Sequence, residues 1–466
     1  MILNQMVRQF VSHVSIYRRP RLARAFVAAL AVGLTPLSEV AGEAPSVKAN
    51  VTGFLNQQSQ RNQVGIDPDS IPTSWSPELV RWEASLTGYG QSSPLVWGDH
   101  IYVTSVDGPN KDQLVLSCVK LSTGELGWER KLPSSRPVES GPMVSRAAPT
   151  PVCDEAGVYV FFESGDFVAF DHQGEERWKL SLCELYGDFE NKFGLSASLA
   201  QSGQLVYVLV DHSGPSYLTA INKSDGQVAW RVDRGTRGHS WTSPAVVHDN
   251  NGNPLLVVSS LGSIDGYQLQ TGEPLFKFTD VGGNSVATPI DCGAGRFMVS
   301  SLIRPADGPV EGATRSNMMV QINASSEGYE LRPIWIAKEA RGSFSSPVMS
   351  GSYCYWVNPQ GALFCLNAET GEEHYVKRLP CGGCWATPLV IGDRLYCFGR
   401  DGETTVVRTG TDYEEISSGN RLWADDAPAA SGEVRGAPAR PAVYAALVIE
   451  GGFLVRRGDR LYRVGH

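Results

Sequence analysis

The sequence predicts an all-β fold: an eight-bladed β-propeller of four-stranded antiparallel blades, with the ring closed by an N-terminal strand. Three observations predict it. A Gly-x-x-x-aromatic ending recurs along the chain, and a Ser/Thr-Pro pair recurs between those endings. Residues 90–410 also lack a helical apolar period of useful length.

The endings come first because repeats decide the architecture. Gly124–Trp128, Gly174–Trp178 and Gly226–Trp230 carry the full form, and Gly272–Phe276 and Gly371–Tyr375 are variants. Thr123, Thr271 and Thr370 stand directly before three of these glycines, and Trp335 holds the same phase without one. A large aromatic on the outer strand of each sheet is expected to fill the wedge against the next sheet. Such a ring removes about 150–250 Å² from water.

The other end of each unit opens with Ser93-Pro94, Thr150-Pro151, Ser243-Pro244, Thr288-Pro289, Ser346-Pro347 or Thr387-Pro388. Proline is tolerated at the first residue of a strand. Turn signals such as Gly98-Asp99 and Gly392-Asp393 then lead into a second strand. The unit reads as a four-strand meander with a period of roughly 40–60 residues, the size of a propeller blade. The third unit has lost its proline and starts near Ser198. The last, Ala442–Val464, has three strands, and Leu79–Ala84 with Trp82 supplies the fourth. That pairing closes the ring and removes two open edges.

Bulk properties agree. The 466 residues are 42% hydrophobic and 19% charged, with Gly 49 and Pro 28, as suits a large core and many turns. The net charge is -9, and residues 1–42, with five Arg and one Glu, make the rest more acidic still. Nucleic acid and anionic membrane are therefore not expected partners.

Residues 1–42 read as an export signal. Arg18–Arg21 and Arg24 precede an apolar run, Ala25–Leu34, and the small residues Val40-Ala41-Gly42 follow. The run is too short to span a bilayer. The expectation is an exported chain, periplasmic or extracellular, with no transmembrane segment after signal removal. Residues 43–74 read as an extended arm, 75–466 as the propeller, and 419–441 as a surface loop between the seventh and eighth blades.

The nine cysteines are 118, 153, 183, 292, 354, 365, 381, 384 and 397. Most sit in apolar runs as small buried hydrophobes. None precedes Cys118, so a lipid anchor on a new N-terminal cysteine is not expected. Cys381-Gly-Gly-Cys384 has the spacing of a local disulfide or redox pair, placed in the turn between the sixth and seventh blades. Zinc would need two further ligands, and no second such pair exists. His212 and His239 belong to no metal-spaced group, although His239 precedes a first strand and so falls near one rim. No phosphate loop, nucleophile elbow or metalloprotease motif is present, so neither catalytic residues nor a metal site is expected.

Thr123-Gly124…Trp128, with its partial forms at Trp178, Trp230, Phe276 and Tyr375, resembles the repeat family of pyrroloquinoline-quinone (PQQ) enzymes. Trp75-Ser76-Pro77…Arg81-Trp82 is similar to the lead-in of exported, cofactor-free PQQ-like propellers. More distantly, the chain resembles the lipid-anchored propeller scaffold of outer-membrane β-barrel assembly. The resemblance implies blade docking by Trp82, Trp128, Trp178, Trp230, Phe276, Trp335 and Tyr375. It also implies a monomeric scaffold, without cofactor, binding a protein or small ligand through loops on one face. A first alternative is a quinoprotein dehydrogenase using PQQ and calcium to oxidise an alcohol or sugar. Such enzymes usually carry adjacent cysteines, and this chain has none. A thiol redox role for Cys381 and Cys384 is a second alternative.

Overall fold

The computed structural model describes residues 50–56, 66–139, 144–301, 317–423 and 442–465. The signal reading for 1–42, much of the arm and the loop residues 424–441 lie outside them. Residues 419–421, read as the start of that loop, instead end the strand Glu414–Arg421, which is held by pairing of Arg421 with Glu403.

The described strands form eight four-stranded antiparallel sheets. Blade 1 is Leu95–Trp97, His100–Asp107, Gln113–Lys120 and Leu126–Pro133. Blades 2 to 7 span 152–181, 200–235, 245–278, 290–336, 348–378 and 389–421. Blade 8 joins Val443–Ile449, Gly452–Arg457 and Arg460–Gly465 to Val80–Ser85, so the two ends of the propeller share one sheet. First strands of neighbouring blades approach each other and therefore lie innermost around the axis. The one α-helix among the described residues, Leu182–Tyr186, sits between blades 2 and 3, where Ser181 Oγ accepts from the Glu184 N–H as its cap.

Each blade is covered on both faces, and the strand patterns show it. Leu205–Val210 is buried at every position, whereas the outermost Gly328–Ile336 alternates exposed and covered residues. The described apolar residues form eight clusters, one between each pair of neighbouring blades.

A bulge recurs in the last strand of every blade, and the residue after it is the docking position. Trp128 faces Cys118 while Leu126 faces Val119, which leaves Gly127 unpaired. The equivalents are Trp178, Trp230, Phe276, Trp335, Tyr375 and Trp82, and in blade 7 the position is Ser417. The Trp82 ring lies against Gly124 of blade 1; a Cβ there would come 2.6 Å from the ring, and the glycine's φ of +76° also disfavours any side chain. The indole N–H groups of Trp128, Trp178, Trp230 and Trp335 donate to His172, Lys223, Leu269 and Ala368 carbonyls of the next blade at 2.8–3.0 Å. Phe276 lacks that donor and packs in the apolar cluster between blades 4 and 5. Tyr375 meets Tyr413 edge-on, with ring centroids 5.8 Å apart.

Ser417 has no ring, and the N-terminal segment supplies one. Trp75, 5% exposed, packs against Phe398 of blade 7 and Phe453 of blade 8. Its backbone N–H donates to Asn420 Oδ1 at 2.9 Å, and Ser417 Oγ donates to the Thr73 carbonyl.

Candidate functional site: the axial chamber

The Ser/Thr-Pro pairs converge on the axis. The backbone N–H of Ser93 donates to Thr150 Oγ1 of the next blade, and the pattern continues from Thr150 to Ser198 and from Ser198 to Ser243. It runs on from Ser243 to Thr288, Thr288 to Ser346 and Ser346 to Thr387, all at 2.9–3.1 Å. The sequence reading gave weight to the proline, but the hydroxyl before it ties the blades together. Blade 8 carries Ala445 at this position, two residues before the strand register that Leu95 holds in blade 1.

Arg456, across from Ala445 in blade 8, bridges that gap. Its guanidinium donates to Ser92 O and Ser92 Oγ, and to the carbonyls of Thr104 and Gly458. It is 0% exposed and forms no ion pair among the described residues. Burial pulls its pKa down to about 9, so it stays protonated at neutral pH.

The segment Asn50–Asn56 enters the channel along the inner strands. Val51 exchanges two backbone bonds with Val96, and Thr52 O accepts from the Cys153 N–H and Gln201 Nε2. Phe54 borders two cavities. One, about 760 Å³, is polar and bears the ion pair Lys223–Asp154 and the His248–Asp291 hydrogen bond, each 2.8 Å. The other, about 470 Å³, is walled by Phe54, Phe193, Trp241, Phe344, Trp385 and Tyr444 above the hydroxyl belt. Phe344 and Trp385 meet edge-on at 5.7 Å, and Trp385 lies 5.4 Å from Tyr444. Phe344 is 42% exposed and so stands at the mouth. Among the described residues no charged side chain lines this chamber. It can hold an uncharged, largely apolar group.

The seam aromatics named from the sequence lie between blades, away from this chamber. His239 stacks on Trp241 at 6.2 Å and stands behind it. Cys381 and Cys384 lie between blades 6 and 7 as buried free thiols whose Sγ atoms converge on Gly382 O at 3.8 and 3.9 Å. The Cys384 thiol, and then burial, hold the Cys381 thiol far above the ordinary range. At Cys384 the Cys381 contact pulls downward, but Cys397 and burial outweigh it. A thiolate nucleophile is thus disfavoured at both.

The described lining residues offer no match to a calcium-bound quinone. Among them none is a carboxylate that could ligate the ion and none a cation that could meet the quinone's carboxylates. Among the described residues no three His, Cys, Asp or Glu side chains group as metal ligands.

An eight-bladed propeller with seam tryptophans and a neutral axial chamber is the class these features define. The family described as outer membrane protein assembly factor BamB matches residues 76–185, 111–277 and 320–459. The chain belongs to this PQQ-like repeat family. The outer membrane protein assembly factor BamB of Shewanella oneidensis is 22% identical over 329 residues, covering 51% of this chain and 79% of that one. The crystal structure of BamB from Moraxella catarrhalis covers 83% of this chain and 97% of its own at 14% identity, with a TM-score of 0.55. The quinohemoprotein alcohol dehydrogenase of Comamonas testosteroni covers 83% and 76% at 12% identity, with a TM-score of 0.47.

Proposed function

We propose that this chain is an exported, monomeric scaffold that binds a protein or small ligand on the face where the chamber opens, without catalysis or a resident cofactor. One observation carries the reading: the centre of that face is an uncharged pocket walled by aromatics, with Phe344 exposed at its mouth. Rigid blades hold it and inter-blade loops surround it, the usual arrangement for recognition. The relative named outer membrane protein assembly factor supports a protein-binding role of this general kind.

The test places a photo-crosslinking residue at Phe344, and in a second variant at Leu126, a 56% exposed residue on the outer strand of blade 1. Specific adducts from position 344 and none from 126 are expected in the exported fraction. Equal labelling, or none at 344, overturns the reading. Dye reduction by the purified chain with added PQQ, calcium and an alcohol would instead favour the dehydrogenase alternative.

A further inference from the structure

One position of the repeat faces the chamber in blade after blade. It is the residue two before the belt hydroxyl: Gln91, Ala148, Ser196, Trp241, Val286, Phe344 and Trp385 in blades 1 to 7. All seven line the chamber. In blades 2 to 7 the belt position is Ser or Thr, whose hydroxyl accepts a neighbour's N–H; the position two before it has no such duty and varies in size. The variation is lopsided. Blades 1 to 3 present Gln91, Ala148 and Ser196, whereas Trp241, Phe344 and Trp385 build the wall on blades 4, 6 and 7. At this position small side chains therefore stand on blades 1 to 3 and flat rings on blades 4, 6 and 7, while Phe54 and Phe193 add two further rings to the lining.

The polar groups of the chamber are largely engaged. Gln91 Oε1 accepts from the Arg146 backbone N–H at 3.0 Å, Tyr444 shares a hydrogen bond with Tyr89 at 2.8 Å, and four of the belt hydroxyls in the wall, on Thr150, Ser198, Ser243 and Thr288, accept backbone N–H groups, whereas Ser145 Oγ has no partner among the described residues. A ligand rich in hydroxyls or charges would lose its water bonds without replacement. A flat apolar ring loses none and stacks on indole or phenyl faces.

We infer that this repeated position reads the ligand, and that the chamber takes one uncharged aromatic ring, stacked against Trp241, Phe344 and Trp385 and facing the small side chains of Ala148 and Ser196. The inference deepens the scaffold reading by naming what enters the pocket. The ring can belong to a free small molecule or to a side chain of a bound polypeptide.

The experiment uses the full chain and the neutral fluorescent probe N-phenyl-1-naphthylamine. One probe per chain is expected. Trp385→Ala removes part of the wall and weakens binding about tenfold, which is about 1.4 kcal/mol. Ala148→Trp fills the chamber and abolishes binding. Trp97→Ala, which alters the polar cavity on the other side of Phe54, leaves it unchanged. Far-UV circular dichroism checks each fold, and Ser196→Phe serves as a second filling variant if Ala148→Trp does not fold. Competition by N-acetyl-tryptophan amide alone points to a free ring; competition only by a neutral peptide carrying Trp points to a side chain. No binding by the wild-type chain, or binding indifferent to both the filling and the wall variants, overturns the inference. Because the probe assay needs no partner, it can fail while crosslinking at Phe344 succeeds, and the reverse.

Discussion

The Trp82 indole donates to the Leu121 carbonyl at 3.0 Å, from the strand that opens the propeller to the first complete blade. The same ring covers Gly124, so one residue docks the closing blade as other tryptophans dock the rest. Docking is unequal around the ring, because Ser417 takes this position in blade 7. Trp178→Ala, at a side chain 9% exposed, is expected to cost about 3–5 kcal/mol. Ser417→Ala removes two hydroxyl bonds, one to the Thr73 carbonyl and one from Asn420 Nδ2, and costs about 1–2 kcal/mol. Urea unfolding of the two variants measures the difference, and equal losses would contradict the hierarchy.

The hydroxyl belt predicts a position-specific penalty. Thr288→Val keeps shape but leaves the buried Ser243 N–H without its acceptor, a loss of about 1–3 kcal/mol. Thr288→Ser retains the acceptor and is expected to stay near wild type. Thermal unfolding of the pair distinguishes the hydroxyl from the methyl.

Arg456 is expected to hold the seam. Arg456→Met fills similar space but orphans acceptors at Ser92, Thr104 and Gly458, for about 1–3 kcal/mol. Hydrogen exchange should show faster opening at Ser92 and Thr104 than at the equivalent strands of blade 3. Uniform acceleration across all blades would argue against a local clasp.

Alkaline pH should unfold the protein earlier than neutral residues alone would allow. Burial pushes the Cys118 thiol up to about 12 and the Cys183 and Cys365 thiols up to about 11, from ordinary values of 9.0. Burial likewise raises the Tyr159, Tyr267 and Tyr462 hydroxyls above 10.0. The folded chain therefore keeps protons that the unfolded chain releases. Their contribution is fully present below about pH 9 and is lost as pH rises through the folded values. Urea midpoints measured between about pH 8 and pH 11 should fall, and more steeply above about 10. A flat profile would contradict the burial of these groups.

Cys381 and Cys384 are expected to react slowly with iodoacetamide in the folded chain, because both thiols are buried and held protonated. Fast labelling at neutral pH would revive a redox role for the pair.

Blade order and number were legible because the turn glycines and seven seam rings serve one geometric need that recurs from blade to blade. Ser417 was not legible there, since its place is marked only by the bulge between Glu415 and Ser417. The chamber was half legible. Its phase could be counted from each Ser/Thr-Pro pair, but Gln91, Ala148, Trp241 and Phe344 share no chemistry that would mark them as a repeat. Arg456 was hidden differently: a charged residue in a strand reads as solvent-facing, and its carbonyl partners at Ser92 and Thr104 are distant in sequence. Nor does Val51–Asn56 carry a periodic pattern that would announce its entry into the channel.

The shared sheet of blade 8 also governs the order in which the molecule can be finished. Arg460 meets Glu83 across 377 positions of chain. Bringing such distant segments together is entropically costly, and pairings of this kind slow folding. As the chain emerges amino end first, Val80–Ser85 must wait for Arg460–Gly465 while seven sheets form between them. Until that last zippering, two raw strand edges stand open to any neighbouring chain, so the interval between emergence and closure is when this protein is most exposed to mispairing.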